Sequence, residues 1–547
     1  MDVADNEALT YRAPPTGMSE FISPFYRYAF ALGFFGILIL SGRKLRTRSG
    51  LLPLPPSPHA DPIIGHLRFM PTQYEEEVYK EWSDKVGYTL PGPSGDIISL
   101  KVPGQSIIVL NSADHADELL NKRSSIYSDR PYIHMIASPK LTGWGKGAAV
   151  SRYNEHWKAQ RRYMHDALGK KSVKMFWPLI ERDVRFTARK FLDNSSPDDI
   201  VSEICRMTGC SILSAVYGYD TTSAEDPLVK IVQVALNGFI QAAAPANFLV
   251  NYFPFLEIIP SWFPGAGWKR LAETWRKDKD NMIEIPYNWT KQQIASGTAH
   301  PSIVNTLLAN LRSKTSGSHG FVTPLEEQED PLKWAVGSLF GAGSETSASS
   351  ILVTILALIR HPEIQAKARQ ELDGVLGGER LPTLQDRDSL PYMCNIIKET
   401  LRWRSVLPTA IPHSCTQEDT YLGYQSFILT PSRRFGNIWA ISNNPQVYPE
   451  PSRFNPDRFL DPAVPDAPAF GFGRRICPGV HFAEATIFMA ISTLLAVFDI
   501  QPGRDENGNP VIPDARMGPS SLVRYPLNFK CTLIPRSEEH KKLLLRS

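Results

Sequence analysis

The sequence predicts a mainly α, α+β fold with a long central helix, small β-sheets and one N-terminal transmembrane helix. Residues 334–359 are almost continuously apolar and end at His361-Pro362, the pattern of one long buried helix with a defined stop. Residues 480–497 form a second apolar run of helical length. Strand-like alternation is confined to short pieces, 97–110 (broken by Pro103-Gly104) and 527–533.

Composition narrows the function classes. With 42% hydrophobic and 21% charged residues the chain can build a sizeable core and is not generally disordered. A formal net charge of +3 is too small for a nucleic-acid binder. The six cysteines (Cys205, Cys210, Cys394, Cys415, Cys477, Cys531) have neither zinc spacing nor a disulfide framework, and read as reduced thiols.

Taken in order, residues 1–20 are a polar tail. Residues 21–42 are the expected membrane anchor: an apolar run from Tyr28, extended backwards through Phe21 to reach about 20 residues. No cleavage site of the signal-peptide kind follows. The basic cluster Arg43-Lys44 to Arg48 should stay cytosolic, leaving the bulk of the chain in the cytosol. It opens a basic and proline-rich hinge over 43–66, where Leu52-Pro53-Leu54-Pro55-Pro56-Ser57-Pro58 makes a stiff extended spacer. One catalytic body over 67–547 completes the chain. Within it, 113–121 reads as helix, and Trp157 and Arg161 share a helix face at i,i+4 spacing. The aromatic, proline-broken segment 253–265 could dip into a membrane or pack internally.

The middle of the central helix carries Phe340-Gly341-Ala342-Gly343-Ser344-Glu345-Thr346-Ser347. Glycines and hydroxyls are poor helix formers, and Ser and Thr compete for backbone carbonyls, so this turn should open and leave room for water or a ligand. Glu399 and Arg402 stand at i,i+3 on a later helix, and Arg458 follows in Pro456-Asp457-Arg458-Phe459. Buried together, these three charges would brace one another. Finally Phe470-Gly471-Phe472-Gly473-Arg474-Arg475-Ile476-Cys477-Pro478-Gly479 holds a cysteine on a glycine-rich loop at the mouth of the 480–497 helix. The helix dipole and the adjacent arginines should favour the thiolate, which suits a single strong metal bond.

The spacing F-G-x-G-x-R-x-C-x-G resembles the haem-binding loop of the cytochrome P450 family, and the other motifs follow in that family's order over nearly the whole chain. The resemblance implies haem b (iron protoporphyrin IX) with Cys477 as its metal ligand, and Arg475, Trp157, Arg161 and His413 meeting the propionates. Phe470 and Gly471 complete the cofactor contacts. Ala342-Gly343-Ser344-Glu345-Thr346-Ser347 is similar to the family's A-G-x-D/E-T-T/S motif, implying that Thr346 hydrogen-bonds the oxygen being activated and Glu345 helps deliver protons. Glu399, Arg402 and Arg458 resemble its structural brace, residues 406–413 a pocket-lining strand, 131–147 a pocket-lining loop and 520–523 the last pocket-lining turn.

The expected activity is NADPH-driven monooxygenation of a small lipophilic substrate. Electrons would come from an NADPH-cytochrome P450 reductase, with cytochrome b5 as a second donor, since no dinucleotide fingerprint is present. Lys158, Arg162, Arg474 and Arg475 are candidates for its docking surface. The expected location is the endoplasmic reticulum membrane, single-pass, and the style is that of fungal enzymes of secondary metabolism or xenobiotic oxidation. Two alternatives stand beside this: a haem enzyme rearranging or dehydrating its substrate without external electrons, and a non-catalytic haem protein. One departure is plain. Segment 425–436 lacks the Pro-Lys-Gly-Thr turn usual in the family.

Overall fold

The computed structural model describes residues 52–547, apart from 88–92, 194–196, 222, 224, 245–246, 317–324, 426–431, 520–521 and 528. The expected anchor at 21–42 lies outside the described residues, as do residues 426–431 of the atypical stretch 425–436. Residues Leu54–Ser547 form one folded unit, and that unit carries the site.

Seven helices position the site: α1 (Glu75–Gly87), α2 (Glu155–Leu168), α3 (Pro197–Tyr217), α4 (Gly267–Ser296), α5 (Leu325–Arg360), α6 (Pro391–Trp403) and α7 (Val480–Val497). Helix α5 is the axis, 36 residues long, and packs against α2, α3, α4, α6 and α7. It starts nine residues before the apolar stretch. The extra turns carry Glu326, Glu327, Gln328 and Glu329, polar helix formers that apolar periodicity does not reveal, and Pro331 lies inside the helix. Helix α7 spans the apolar run without offset, and all but its first turns are buried. Three helical stretches, Asp199–Tyr217, Glu327–Arg360 and Val480–Val497, are long and apolar enough to cross a membrane, yet each is largely buried inside this unit, where they form its core.

The strands are few. β1 (Ile97–Val102) and β2 (Gln105–Leu110) form the antiparallel hairpin turned at Pro103-Gly104. β3 (Thr420–Tyr421) and β4 (Tyr424–Gln425) make a minimal ladder. β5 (Ser432–Gly436) pairs parallel with β2, and β6 (Phe498–Pro502) pairs antiparallel with β7 (Cys531–Pro535). The 527–533 strand thus sits a few residues further on, because Phe498–Pro502 sets its register.

Residues 113–121 are helical as expected, α over Ala113–Ala116 and π over Asp117–Lys122. One local expectation needs correcting. Residues 406–413 form no strand: their backbone is irregular, and only His413 bridges to Arg434. Segment 253–265 is not a packed loop but largely solvent-facing, with Phe255 56%, Ile258 83% and Trp262 77% exposed.

Candidate active site at the Cys477 loop

An interior cavity of about 270 Å³ lies between α5 and the Cys477 loop, roofed by α3 and walled by α2 and residues 406–413. The loop is built from two short turns. Arg475 N–H donates to Phe472 O at 3.2 Å, Ile476 N–H to Gly473 O at 3.2 Å, and Cys477 N–H closes on Phe470 O at 2.9 Å. These bonds turn the Cys477 thiol, with Phe470, Gly471 and Arg475, toward the cavity.

The thiol's electrostatics differ from the sequence expectation. Burial pushes the Cys477 pKa up, opposed by a hydrogen bond from the Gly479 backbone and by Arg161. The two neighbouring arginines do little for it because they point elsewhere. Arg474 is exposed and donates to the Tyr153 hydroxyl at 2.6 Å. Arg475 is buried and donates to the carbonyls of Ser128 (2.7 Å), Ala148 (3.2 Å) and Ser151 (2.8 Å). Arg475 therefore cannot serve a docking surface. The cation that faces the sulfur comes from α2, on the opposite wall.

Trp157 and Arg161 both line the cavity from α2. Trp157 Nε1 donates to Ala148 O at 3.1 Å, and the Arg475 guanidinium stacks over its ring at 4.0 Å. Arg161 makes no hydrogen bond or ion pair with any described residue. His413 also lines the cavity. Its Nδ1 lies 2.9 Å from Tyr127 O, and burial, then Arg130, hold its pKa well below the ordinary value. Arg130, which sequence reasoning missed, joins them. It donates to Ala149 O, Ile411 O and Pro412 O, and burial pulls its pKa down to about 9. Burial likewise brings Arg475 down to about 8. Not one of the described lining residues is a carboxylate. Such a donor set, two buried guanidiniums and the half-buried Arg161 around an apolar slot with a thiol at its floor, fits a flat dianionic metal cofactor.

The α5 turn opposite stays α-helical and does not open as expected, and hydroxyls bond its backbone carbonyls. Thr346 Oγ1 donates to Ala342 O at 2.9 Å. Thr208 of α3 donates to Ser344 O at 2.8 Å, and the Tyr525 hydroxyl to Glu345 O at 3.1 Å. Gly343 lets α3 approach closely, since a Cβ there would stand 2.9 Å from Ile212 Cγ1. Thr346 and Ser347 line the cavity; Glu345 does not. It lies behind the turn near Cys205 and Tyr525, and burial raises its pKa.

Away from the cavity, Arg402 grips Glu399 through two bonds, Nε–Oε2 at 2.7 Å and Nη2–Oε1 at 2.8 Å. Arg458 Nε adds contacts at 3.2 and 3.1 Å, and Asn455 N–H donates to the same carboxylate at 2.8 Å. All three charged side chains are buried. Residues 520–521 of the last expected lining turn fall outside the described residues.

The Cytochrome P450 family model matches residues 55–531. Cytochrome P450 monooxygenase 208 of Postia placenta is 36% identical, covering 90% of this chain and 92% of its own length. Cytochrome P450 monooxygenase ARMGADRAFT_974139 of Armillaria gallica is 36% identical over 93% of this chain and 97% of its own. Among solved structures, a zebrafish cytochrome P450 determined with progesterone superposes with a TM-score of 0.67 at 25% identity, covering 84% of this chain and 99% of that one.

Proposed function

The chain belongs to the cytochrome P450 family and is a haem monooxygenase; from that premise we propose that it binds haem b through Cys477 and oxidises a small lipophilic substrate. The electrons come from NADPH through a separate cytochrome P450 reductase, with cytochrome b5 as a second donor. The observation that carries this reading is the meeting, in one cavity, of the Cys477 thiol, cations with no lining carboxylate and a hydroxyl-bearing helix turn.

Bound haem supplies the reductive activation of dioxygen, with one atom entering the substrate and the other leaving as water. The residues of this chain divide the remaining tasks. Cys477 provides the thiolate, and metal binding overcomes the burial that holds its proton in place. Arg161, Arg130, Arg475, His413 and the Trp157 indole orient the propionate edge. Ile212, Leu339, Ala342 and Phe482 keep the slot dry. Thr346 holds a proton at its hydroxyl on the cavity wall. Glu345, whose pKa burial raises, is the proton donor behind the same turn, outside the cavity lining.

Exposed Arg162 and Arg474, with half-exposed Lys158 beside them, support a cationic docking surface for the reductase. The solvent-facing Phe255, Ile258, Trp262 and Phe263 support contact with a lipid surface, in line with single-pass anchorage in the endoplasmic reticulum membrane. The domain boundaries 1–20, 21–42, 43–66 and 67–547 belong to this proposal. So does a role in fungal secondary metabolism or xenobiotic oxidation, which the fungal relatives support. A reduced carbon-monoxide difference spectrum tests the haem site. Unaltered protein should show the thiolate-type Soret band and Cys477→Ala should lose it. With reductase and substrate panels, labelled dioxygen should appear in product only with NADPH; product without NADPH would instead establish an electron-independent rearrangement.

A further inference from the structure

A π-helical turn is less favourable than an α-turn and is retained where it re-aims a side chain, often at a functional site. In this chain it occupies Asp117–Lys122, and the side chain it re-aims is Asn121. Asn121 Oδ1 accepts a hydrogen bond from the Gly473 backbone N–H at 2.6 Å. Its Nδ2 donates to Asp117 Oδ1 at 2.9 Å, and that partner fixes which end of the amide faces Gly473.

The contact between turn and loop leaves no slack. Gly473 sits at φ +54°, and a Cβ on it would lie 2.1 Å from Leu120 O and 3.0 Å from Ser124 Cβ. Backbone therefore meets backbone here, and only glycine permits it. Gly473 is also the pivot of the cysteine loop, because its own carbonyl accepts from the N–H of Ile476, the residue before Cys477. The turn is in turn tethered by Arg123, which donates to Glu118 at 3.0 Å and to Asp419 at 3.0 and 2.9 Å. A continuous run of bonds thus leads from Asp117 through Asn121 and Gly473 to the residue beside the thiol.

We propose that Asn121 is a positioning residue for Cys477, set by the π-turn to hold the cysteine loop against the cavity floor and so to keep the thiolate on the metal. The proposal rests on the reading that Cys477 binds haem iron. Asn121 is exposed and contributes nothing to the core, so its effect should be seen at the loop and not in global stability.

The test uses full-length holoprotein and follows how fast the reduced carbon-monoxide complex loses its thiolate-type Soret band, together with the reduction midpoint potential. Asn121→Ala should lose the band about five-fold faster than unaltered protein, the factor one ordinary hydrogen bond supplies. Asn121→Asp combined with Asp117→Asn swaps the two groups, keeping both the acceptor for Gly473 and an amide–carboxylate bond, so it should lose the band more slowly than the alanine variant. The carboxylate brought next to the loop should move the midpoint potential to more negative values. Where the alanine variant yields too little holoprotein, Asn121→Gln, which displaces the amide by one methylene, must show the acceleration instead. Rates for Asn121→Ala or Asn121→Gln indistinguishable from unaltered protein overturn the positioning role, as does a swapped double variant as fast as alanine. If unaltered protein shows no thiolate-type band, the haem reading fails and this proposal falls with it. A normal band with an unchanged variant rate sinks Asn121 alone.

Discussion

Two clusters of arginines in this protein have opposite surroundings. In the brace, Arg402 and Arg458 share the Glu399 carboxylate, and every partner is built into the chain. Around the cavity, Arg130, Arg161 and Arg475 stand together with His413 and no lining carboxylate. A charge buried without a counter-ion is destabilising, whereas a paired one is close to neutral in net effect. The first group is therefore complete as folded; the second leans on backbone carbonyls and on Asp129, which does not line the cavity, and leaves its cavity side without an anion. Removing members of the two groups should give different signatures.

The largest effect is expected in the brace. Glu399→Gln strands two buried guanidiniums and should cost about 3–5 kcal/mol, read as loss of soluble folded protein or a sharply lowered unfolding midpoint. At the cavity the sign is reversed for the cofactor-free protein. Arg161→Leu should leave its unfolding midpoint unchanged or raise it, while haem dissociates on the order of 10–100-fold faster, the range known for supporting residues of metal sites. Haem transfer to an acceptor globin measures this. A fall in apoprotein stability like that of Glu399→Gln would erase the distinction between the two groups.

Arg130→Leu sharpens the comparison further. Its donors are partly occupied by Ala149, Ile411 and Pro412 carbonyls, so some loop stability should be lost along with haem affinity. It should fall between the other two variants in a plot of one quantity against the other.

The smallest effect concerns pH. His413 has a folded pKa well below its ordinary 6.5 because burial and Arg130 disfavour the cation. As pH falls below about 6.5, the unfolded chain takes up a proton that the folded chain refuses, so stability falls with pH in that window. His413→Asn should flatten this part of the cofactor-free stability profile, measured by denaturant titration across pH 5–7.5. An unchanged slope would place the titration elsewhere.

The two groups also differ in how far they can be seen in the sequence. Glu399 and Arg402 are three residues apart on one helix, so local spacing alone suggests the pair. The long apolar helices, the hairpin over 97–110 and the cysteine loop are legible for the same reason: each is specified by neighbours in the chain. Arg130, Thr208, Tyr525 and Asn121 are not legible, because each acts on a backbone group far away in sequence through an irregular or helical surface. The thiol's electrostatics escape the sequence for a related reason. Arg474 and Arg475 adjoin Cys477 in sequence but turn to Tyr153 and to three carbonyls, while the effective cation, Arg161, belongs to another helix. A turn that reverses direction every two residues scatters sequence neighbours onto different faces.

The close approach at Gly343 has a practical consequence for remodelling the pocket. Ile212 overhangs the cavity with its side chain packed directly on the backbone of Gly343, where an added Cβ would meet its Cγ1 at 2.9 Å and its Cδ1 at 3.0 Å. Enlarging residue 343 would wedge the roof away from the axis and unsettle both. Trimming Ile212 to valine or alanine would heighten the ceiling with the helices left where they are, which makes that one position the natural dial for admitting bulkier guests.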